Sequence, residues 1–246
     1  MTTSESGHTK RILRIHRYVI HAPDHSQGIL HMLRKLIGAW NRRAFPLSWE
    51  GLHRVKCCYS QFGEDALIEA ITQSRDKVGF YVDVGCFEPI RLSNTYKLYR
   101  QGWRGIAIDP NADMEALWKK HRPRDRFVCC AVGEQSGRIG FRKNLSLPNE
   151  SYLDASESVE TVPIRRLDDI LTESLPQNTV IDVMSIDCEG FDLSVVKSNN
   201  FQKHRPKVLL VEDLTHGKSE LAAYVETLNY ELVGMTVQCL MYTSKQ

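Results

Sequence analysis

What this chain lacks narrows it first. No apolar run among its 246 residues approaches the ~20 needed to cross a bilayer, and the N-terminus has no signal-peptide core. The seven cysteines (Cys57, Cys58, Cys86, Cys129, Cys130, Cys188 and Cys239) include no C-x-x-C pair, so no zinc site is expected. An odd number of cysteines, several inside apolar runs, points to reduced, buried thiols and a cytoplasmic location. The three-glycine fingerprint of a dinucleotide site is missing as well. Gly85, which ends an apolar run, is followed by Cys86, Phe87, Glu88 and Pro89, and a pyrophosphate could not approach such a backbone closely.

What remains is a globular composition, 42% hydrophobic and 25% charged, long enough for one large domain with an extension. The net charge of +2 hides an asymmetry. Residues 1–56 carry ten Lys and Arg against three acids, a net of +7, which leaves −5 for the rest. The reading is therefore a basic, partly helical N-terminal extension (1–56) and a second domain (57–246). In the extension, Ile29, Leu30, Leu33, Leu36, Ile37 and Trp40 recur at helical spacing beside Arg34, Lys35, Arg42 and Arg43. Packing against the protein itself is the expectation for that helix, and peripheral contact with an anionic membrane is the alternative. Residues 44–56, with Pro46 and Gly51, read as a connector.

Beyond it, apolar runs alternate with helical patterns. Phe80–Val84 forms a strand that ends at Gly85, and Gly105–Ile108 forms another that ends at Asp109. Arg126–Gly133 reads as a third, Val180–Asp187 as a fourth and Lys207–Glu212 as a fifth. Helices are expected after Asp65, after Thr95, over 112–120, at Leu167–Leu171, from Phe191 and over 219–228. The polar stretch 137–162 is expected to hold a hairpin and a mobile loop, and 230–242 an antiparallel pair. This alternation implies an α/β fold with a doubly wound, mostly parallel sheet. Asp83, Asp109, Asp187 and Glu212 then stand at the carboxyl ends of strands, along the edge where such sheets bind ligands. A turn with one glycine suits a less demanding ligand than a dinucleotide, such as the methionine end of S-adenosylmethionine, with Asp83 beneath its positive groups. Asp109, on the next strand, is placed to accept ribose hydroxyls, or else to cap the following helix as Asn111 can.

From Tyr59 to Tyr242 the chain resembles the FkbM-type S-adenosylmethionine-dependent methyltransferases. The resemblance rests on several short stretches in order: Tyr59-Ser60-Gln61-Phe62-Gly63-Glu64-Asp65, Asp83-Val84-Gly85, Ser93-Asn94-Thr95, Gly102-Trp103-Arg104-Gly105-Ile106, Asp109-Pro110-Asn111, Ile186-Asp187-Cys188-Glu189-Gly190-Phe191, and Arg205-Pro206 through Val211-Glu212. It implies a class I, Rossmann-like fold with a seven-stranded sheet, S-adenosylmethionine as cofactor, and transfer to a hydroxyl of a small-molecule or glycan acceptor. It also implies that Asp83 and Gly85 serve the methionine side, Asp109 the ribose, and Cys130, Ala131 and Val132 the adenine, with Gln61 and Asn94 nearby. Two positions depart from the family pattern. Asp109 stands where glutamate is more usual, and Cys86 stands where a small residue is.

Methyl transfer requires a hydroxyl to be aligned and relieved of its proton. Asp187, Glu189 and Glu212 are the carboxylates expected nearest that chemistry. Either one is the general base, or two hold a divalent cation, magnesium or manganese, that lowers the hydroxyl pKa. The bland alternative is that Glu189 caps its helix and Glu212 only shapes the pocket. His53 and His216 are weaker candidates and are set aside. A nicotinamide-dependent oxidoreductase and a catalytically silent binding module are the competing functions. No nucleic acid is expected as partner: the second domain is acidic and has no Asn-Pro-Pro-Tyr-like signature.

Overall fold

The computed structural model describes residues 19–21, 56–73, 77–144, 151–154 and 160–245. The chain forms two compact units, Met1–Cys58 and Tyr59–Gln246. In the first, β1 (Val19–His21) pairs in parallel with β2 (Lys56–Cys58). The helix expected from Ile29 to Trp40 lies outside the described residues, as does the connector except for Lys56, which opens β2. Among the described residues no helix is long and apolar enough to cross a membrane.

The second unit runs through α1 (Glu64–Thr72), β3 (Phe80–Val84), α2 (Tyr96–Arg100), β4 (Arg104–Asp109), α3 (Glu115–His121) and β5 (Arg126–Cys129). It continues through β6 (Ala131–Val132), β7 (Gly137–Arg142), β8 (Tyr152–Asp154), β9 (Thr161–Arg165) and α4 (Leu167–Ser174). Then follow β10 (Val183–Ile186), α5 (Asp192–Lys197), β11 (Val208–Glu212), α6 (Glu220–Thr227), β12 (Tyr230–Met235) and β13 (Cys239–Ser244). Seven strands build one sheet in the order β12-β13-β11-β10-β3-β4-β5. The run from β11 to β5 is parallel, whereas β13 is antiparallel to both β11 and β12. The sheet is thus mixed, with the expected antiparallel pair at its end.

Alternation along each strand feeds two cores. Phe80, Val82 and Val84 of β3 join Ile106, Ile108, Met184, Ile186, Leu209 and Val211 against α4, α5 and α6. Tyr81 points the other way and meets Ile68 of α1, with Leu98, Tyr99 and Trp103 around α2. Both faces are covered, which is why these strands read as continuous apolar runs. Burying each Val, Leu or Ile side chain fully contributes about 1.5–3 kcal/mol.

One expectation is corrected. The apolar run 126–133 is not one strand. It folds at Cys130, whose N–H donates to the Val128 carbonyl at 3.2 Å. β5 ends the main sheet there, while β6 pairs with β9 in a second sheet of order β6-β9-β7-β8. The hairpin expected in 137–162 is present, since β7 pairs antiparallel with β8, and the start of β9 joins them in that second sheet. The expected mobile loop falls on residues 145–150 and 155–159, outside the described residues.

Candidate active site at the carboxyl edge of the sheet

Parallel strands bring their carboxyl ends to one edge, and the loops there build the site. The first loop leaves β3 at Gly85, which has φ +76. The Gly85 and Cys86 N–H groups both donate to the Ile108 carbonyl of β4, at 2.9 and 3.3 Å. A Cβ added at Gly85 would lie 1.7 Å from the Asp187 carbonyl oxygen. Glycine is therefore demanded here by a left-handed turn packed on the backbone that follows β10, a reason independent of any ligand.

The second loop starts at Asp109, the last residue of β4. Its Oδ2 accepts the Phe87 N–H at 2.9 Å and its Oδ1 accepts the Asn111 N–H at 2.8 Å. One carboxylate thus ties the two loops together. Burial pushes this carboxyl up to about 6, although the two N–H groups favour its charged form. Asn111 caps the next helical turn, accepting the Asp113 N–H at 3.2 Å.

The third loop follows β10. Asp192 accepts the N–H groups of Cys188 (2.9 Å) and Gly190 (3.1 Å) and so fixes the turn. Burial raises the Asp192 carboxyl to about 6. Glu189, with φ +50, stands at the tip of that turn. Asp187 and Glu212, at the ends of neighbouring strands, share a hydrogen bond between their carboxyl groups, and Glu212 also accepts the Glu189 N–H. Burial drives Asp187 well above the usual carboxylate range, and the Glu212 charge adds to the rise. Burial lifts Glu212 to about 7. Such a pair titrates as a unit.

These loops surround a cavity that also meets the second sheet. Seven of the expected site residues line it: Gln61, Gly85, Cys130, Ala131, Val132, Asp187 and Glu189. Gln61 is held by the turn before α1. There Ser60 Oγ donates to Asp65 Oδ1 at 2.9 Å and accepts the Asp65 N–H at 3.2 Å, while Glu64 Oε2 accepts the Phe62 N–H at 2.9 Å. The other four are not among its lining residues. Asp83 accepts from the Thr95 hydroxyl, Asn94 donates to Ser185 Oγ at 3.1 Å, Asp109 sits between the lining residues Ile108 and Pro110, and Glu212 backs Asp187.

Sequence reasoning missed Phe87 and Leu92 of the first loop, and Phe141, Ser151, Tyr152 and Leu153 of the second sheet. The alternation of Arg138, Ile139, Gly140, Phe141 and Arg142 was a usable strand signal for β7. Among the described residues, the cavity lining includes acids but no Lys, Arg or His. No three His, Cys, Asp or Glu side chains among them are grouped to hold a metal ion. The magnesium or manganese alternative therefore finds no matching arrangement.

The raised carboxyls have a consequence for stability. Asp109, Asp192 and Glu212 bind their protons more tightly folded than unfolded. The stability they confer is complete below the ordinary carboxylate range and is lost as pH rises through about 6 to about 7. Ligand-free protein should melt at a lower temperature at about pH 8 than at about pH 5. Thermal scans at the two values check this, and a melting point that rises with pH would contradict the burial of these groups.

A family model described as the methyltransferase FkbM domain matches residues 83–232. No curated protein matches the chain. Among solved structures, the chain is similar to a TehB-like SAM-dependent methyltransferase from Corynebacterium glutamicum, at 14% identity over 90% of this chain and 98% of that one, with a TM-score of 0.40. It is also similar to an O-methyltransferase from Bacillus cereus in complex with SAH, at 10% identity over 91% and 92% of the two chains, with a TM-score of 0.44. A third is the C-terminal domain of precorrin-6Y C5,15-methyltransferase from Rhodobacter capsulatus, at 13% identity over 74% and 88%, with a TM-score of 0.39.

Proposed function

The chain belongs to the FkbM methyltransferase family, and we propose that it is an S-adenosylmethionine-dependent O-methyltransferase acting on a hydroxyl of a small-molecule or carbohydrate-like acceptor. The observation that supports this most is convergence. Residues from seven separate stretches meet at one cavity, and Asp187, whose carboxyl hydrogen-bonds that of Glu212, forms part of its wall. S-adenosylmethionine, when bound, supplies a methyl group on a positively charged sulfur. The residues fit such a group. The walls at Ile108, Cys130, Ala131 and Val132 are apolar enough for adenine, and the lining carries acids rather than cations. Each oxygen of Asp109 accepts one backbone N–H and keeps a lone pair for a ribose hydroxyl.

In this reading the Asp187–Glu212 pair receives the proton of the acceptor hydroxyl. Asp187 faces the cavity, and Glu212 shares the charge from behind. Glu189, at the tip of the same turn, orients the acceptor. The four-stranded second sheet supplies the outer wall through Phe141, Tyr152 and Leu153, and we assign acceptor selection to it. The buried thiols of Cys86, Cys130 and Cys239 accord with action in the cytoplasm.

Calorimetry with S-adenosylhomocysteine and with NAD tests the cofactor assignment. Binding of the first and none of the second is expected. Asp109→Ala should weaken S-adenosylhomocysteine binding by roughly 1–3 kcal/mol, the cost of removing a partner from buried hydroxyls. Tight NAD binding with no response to S-adenosylhomocysteine would overturn the assignment.

A further inference from the structure

Behind the loop that carries Phe87 and Leu92 lies an arginine that never reaches the cavity. Arg122 follows α3 and is 1% exposed. Its guanidinium has five N–H groups, and five acceptors surround it. Nε donates to Asp125 Oδ2 at 2.6 Å. Nη1 donates to Ser93 Oγ at 3.2 Å and to the Pro89 carbonyl at 3.4 Å. Nη2 donates to the Tyr81 hydroxyl at 2.6 Å and to Thr95 Oγ1 at 2.9 Å. The guanidinium carbon lies 4.1 Å from the centre of the Trp118 ring, and Trp118 Nε1 donates to the Phe87 carbonyl at 2.7 Å.

Neutralising Asp125 would need one or two of these bonds. The Nη1 bonds and one of the two Nη2 bonds go instead to the segment from Pro89 to Thr95, which contains Leu92 of the cavity wall. The Thr95 hydroxyl passes the contact on, donating to Asp83 Oδ2 at 2.5 Å. A buried charge is costly and by itself argues little for stability. Here it is spent on one loop and on the acid beneath that loop.

We propose that Arg122 is a positioning residue of the cofactor cavity: acting through Thr95 and Ser93, it fixes the wall from Gly85 to Thr95 and holds the Asp83 carboxylate beneath it, facing the positive groups of the cofactor. This rests on the methyltransferase reading. The titratable and polar groups that act on Asp83 are Arg122, Thr95 and Asp125, and Asp83 acts in turn on Asp109, Asp187 and Cys86. Burial raises the Asp83 carboxyl, while the Arg122 charge and the Thr95 hydroxyl oppose the rise. Without that hydroxyl, Asp83 takes up a proton at higher pH and loses its attraction for a cation.

The test uses the full-length chain and S-adenosylhomocysteine, with calorimetry and thermal melts at about pH 6 and about pH 8. Thr95→Val keeps the volume and removes the hydroxyl, and it should raise the dissociation constant about tenfold at the higher pH and by more at the lower. Thr95→Ser keeps the hydroxyl and should restore binding to within about twofold. A Thr95→Val protein that melts lower but binds like wild type at both pH values would overturn the proposal. So would an equal loss at both values that serine does not rescue. If Thr95→Val does not fold, Ser93→Ala removes the Arg122 acceptor carried by the loop itself, and wild-type binding by that variant at both pH values would overturn it. Failure of the wild type itself to bind S-adenosylhomocysteine would instead bring down the methyltransferase reading.

Discussion

Replacing Asp187 by asparagine is expected to lower methyl transfer about 100- to 10,000-fold while leaving S-adenosylhomocysteine affinity within about threefold, the pattern of a lost general base. The substitution is nearly isosteric and keeps a side chain that can hydrogen-bond Glu212, so the cavity is retained. What disappears is the ability of the pair to take a second proton. Glu212 has its carboxyl at about 7, and the Asp187 carboxyl stands well above the usual range. Below about 7 Glu212 takes up its own proton, and the pair loses the place to which the hydroxyl proton could pass. Above it Glu212 is ionised and the pair can receive that proton. Wild-type turnover should therefore rise as pH rises through about 7, a dependence that Asp187→Asn should lose. Stability is expected to move in the opposite direction over the same window, since the same burial favours the protonated carboxyls. Single-turnover rates with labelled methyl groups check the first point, and an unchanged rate in the variant would remove Asp187 from the mechanism.

Gly85→Ala should have the largest effect on the fold itself. The position needs φ +76, which costs an L-residue about 1–2 kcal/mol. The added methyl would also meet the Asp187 carbonyl oxygen at 1.7 Å, where overpacking adds about 1–3 kcal/mol. The clash is with backbone, so no side-chain rotation relieves it, and separating the two loops would also disturb the carboxyl pair. A loss of roughly 2–5 kcal/mol is a large share of the 5–15 kcal/mol that holds a typical domain. Gly190→Ala is the matched comparison. It has φ +92 but nothing within 4 Å of the added carbon, so only the backbone strain of about 1–2 kcal/mol applies. Chemical denaturation of the two variants separates the contributions. Equal losses would mean that the Gly85–Asp187 contact is unimportant.

Which parts were legible from sequence follows from what each residue does. β3, β4, β10 and β11 are buried on both faces, so they appear as apolar runs, and the acid at each end marks the exit from the core. The pairing of Asp187 with Glu212 was only half legible. Both acids belong to one sheet edge, but their adjacency depends on β10 lying next to β11. The break at Cys130 was hidden because Phe127 to Val132 stays apolar through a change of sheet, and periodicity cannot register a tertiary event of that kind. Arg122 was hidden for the opposite reason. It stands in His121-Arg122-Pro123-Arg124-Asp125-Arg126, which reads as a solvated basic loop, yet its side chain is enclosed by Trp118, Tyr81 and Thr95. The second sheet was obscured by Gly137, Gly140 and Pro163, which interrupt its strands without preventing them.

The most direct measurement is transfer of a labelled methyl group from S-adenosylmethionine into a small-molecule extract, with the product identified by mass spectrometry and NMR. The expected result is label in the methyl ether of a hydroxylated product, present with wild-type protein and nearly absent with Asp187→Asn. Label on nitrogen or carbon, or no labelled product from protein that binds S-adenosylhomocysteine, would contradict the assignment of O-methyl transfer to this site.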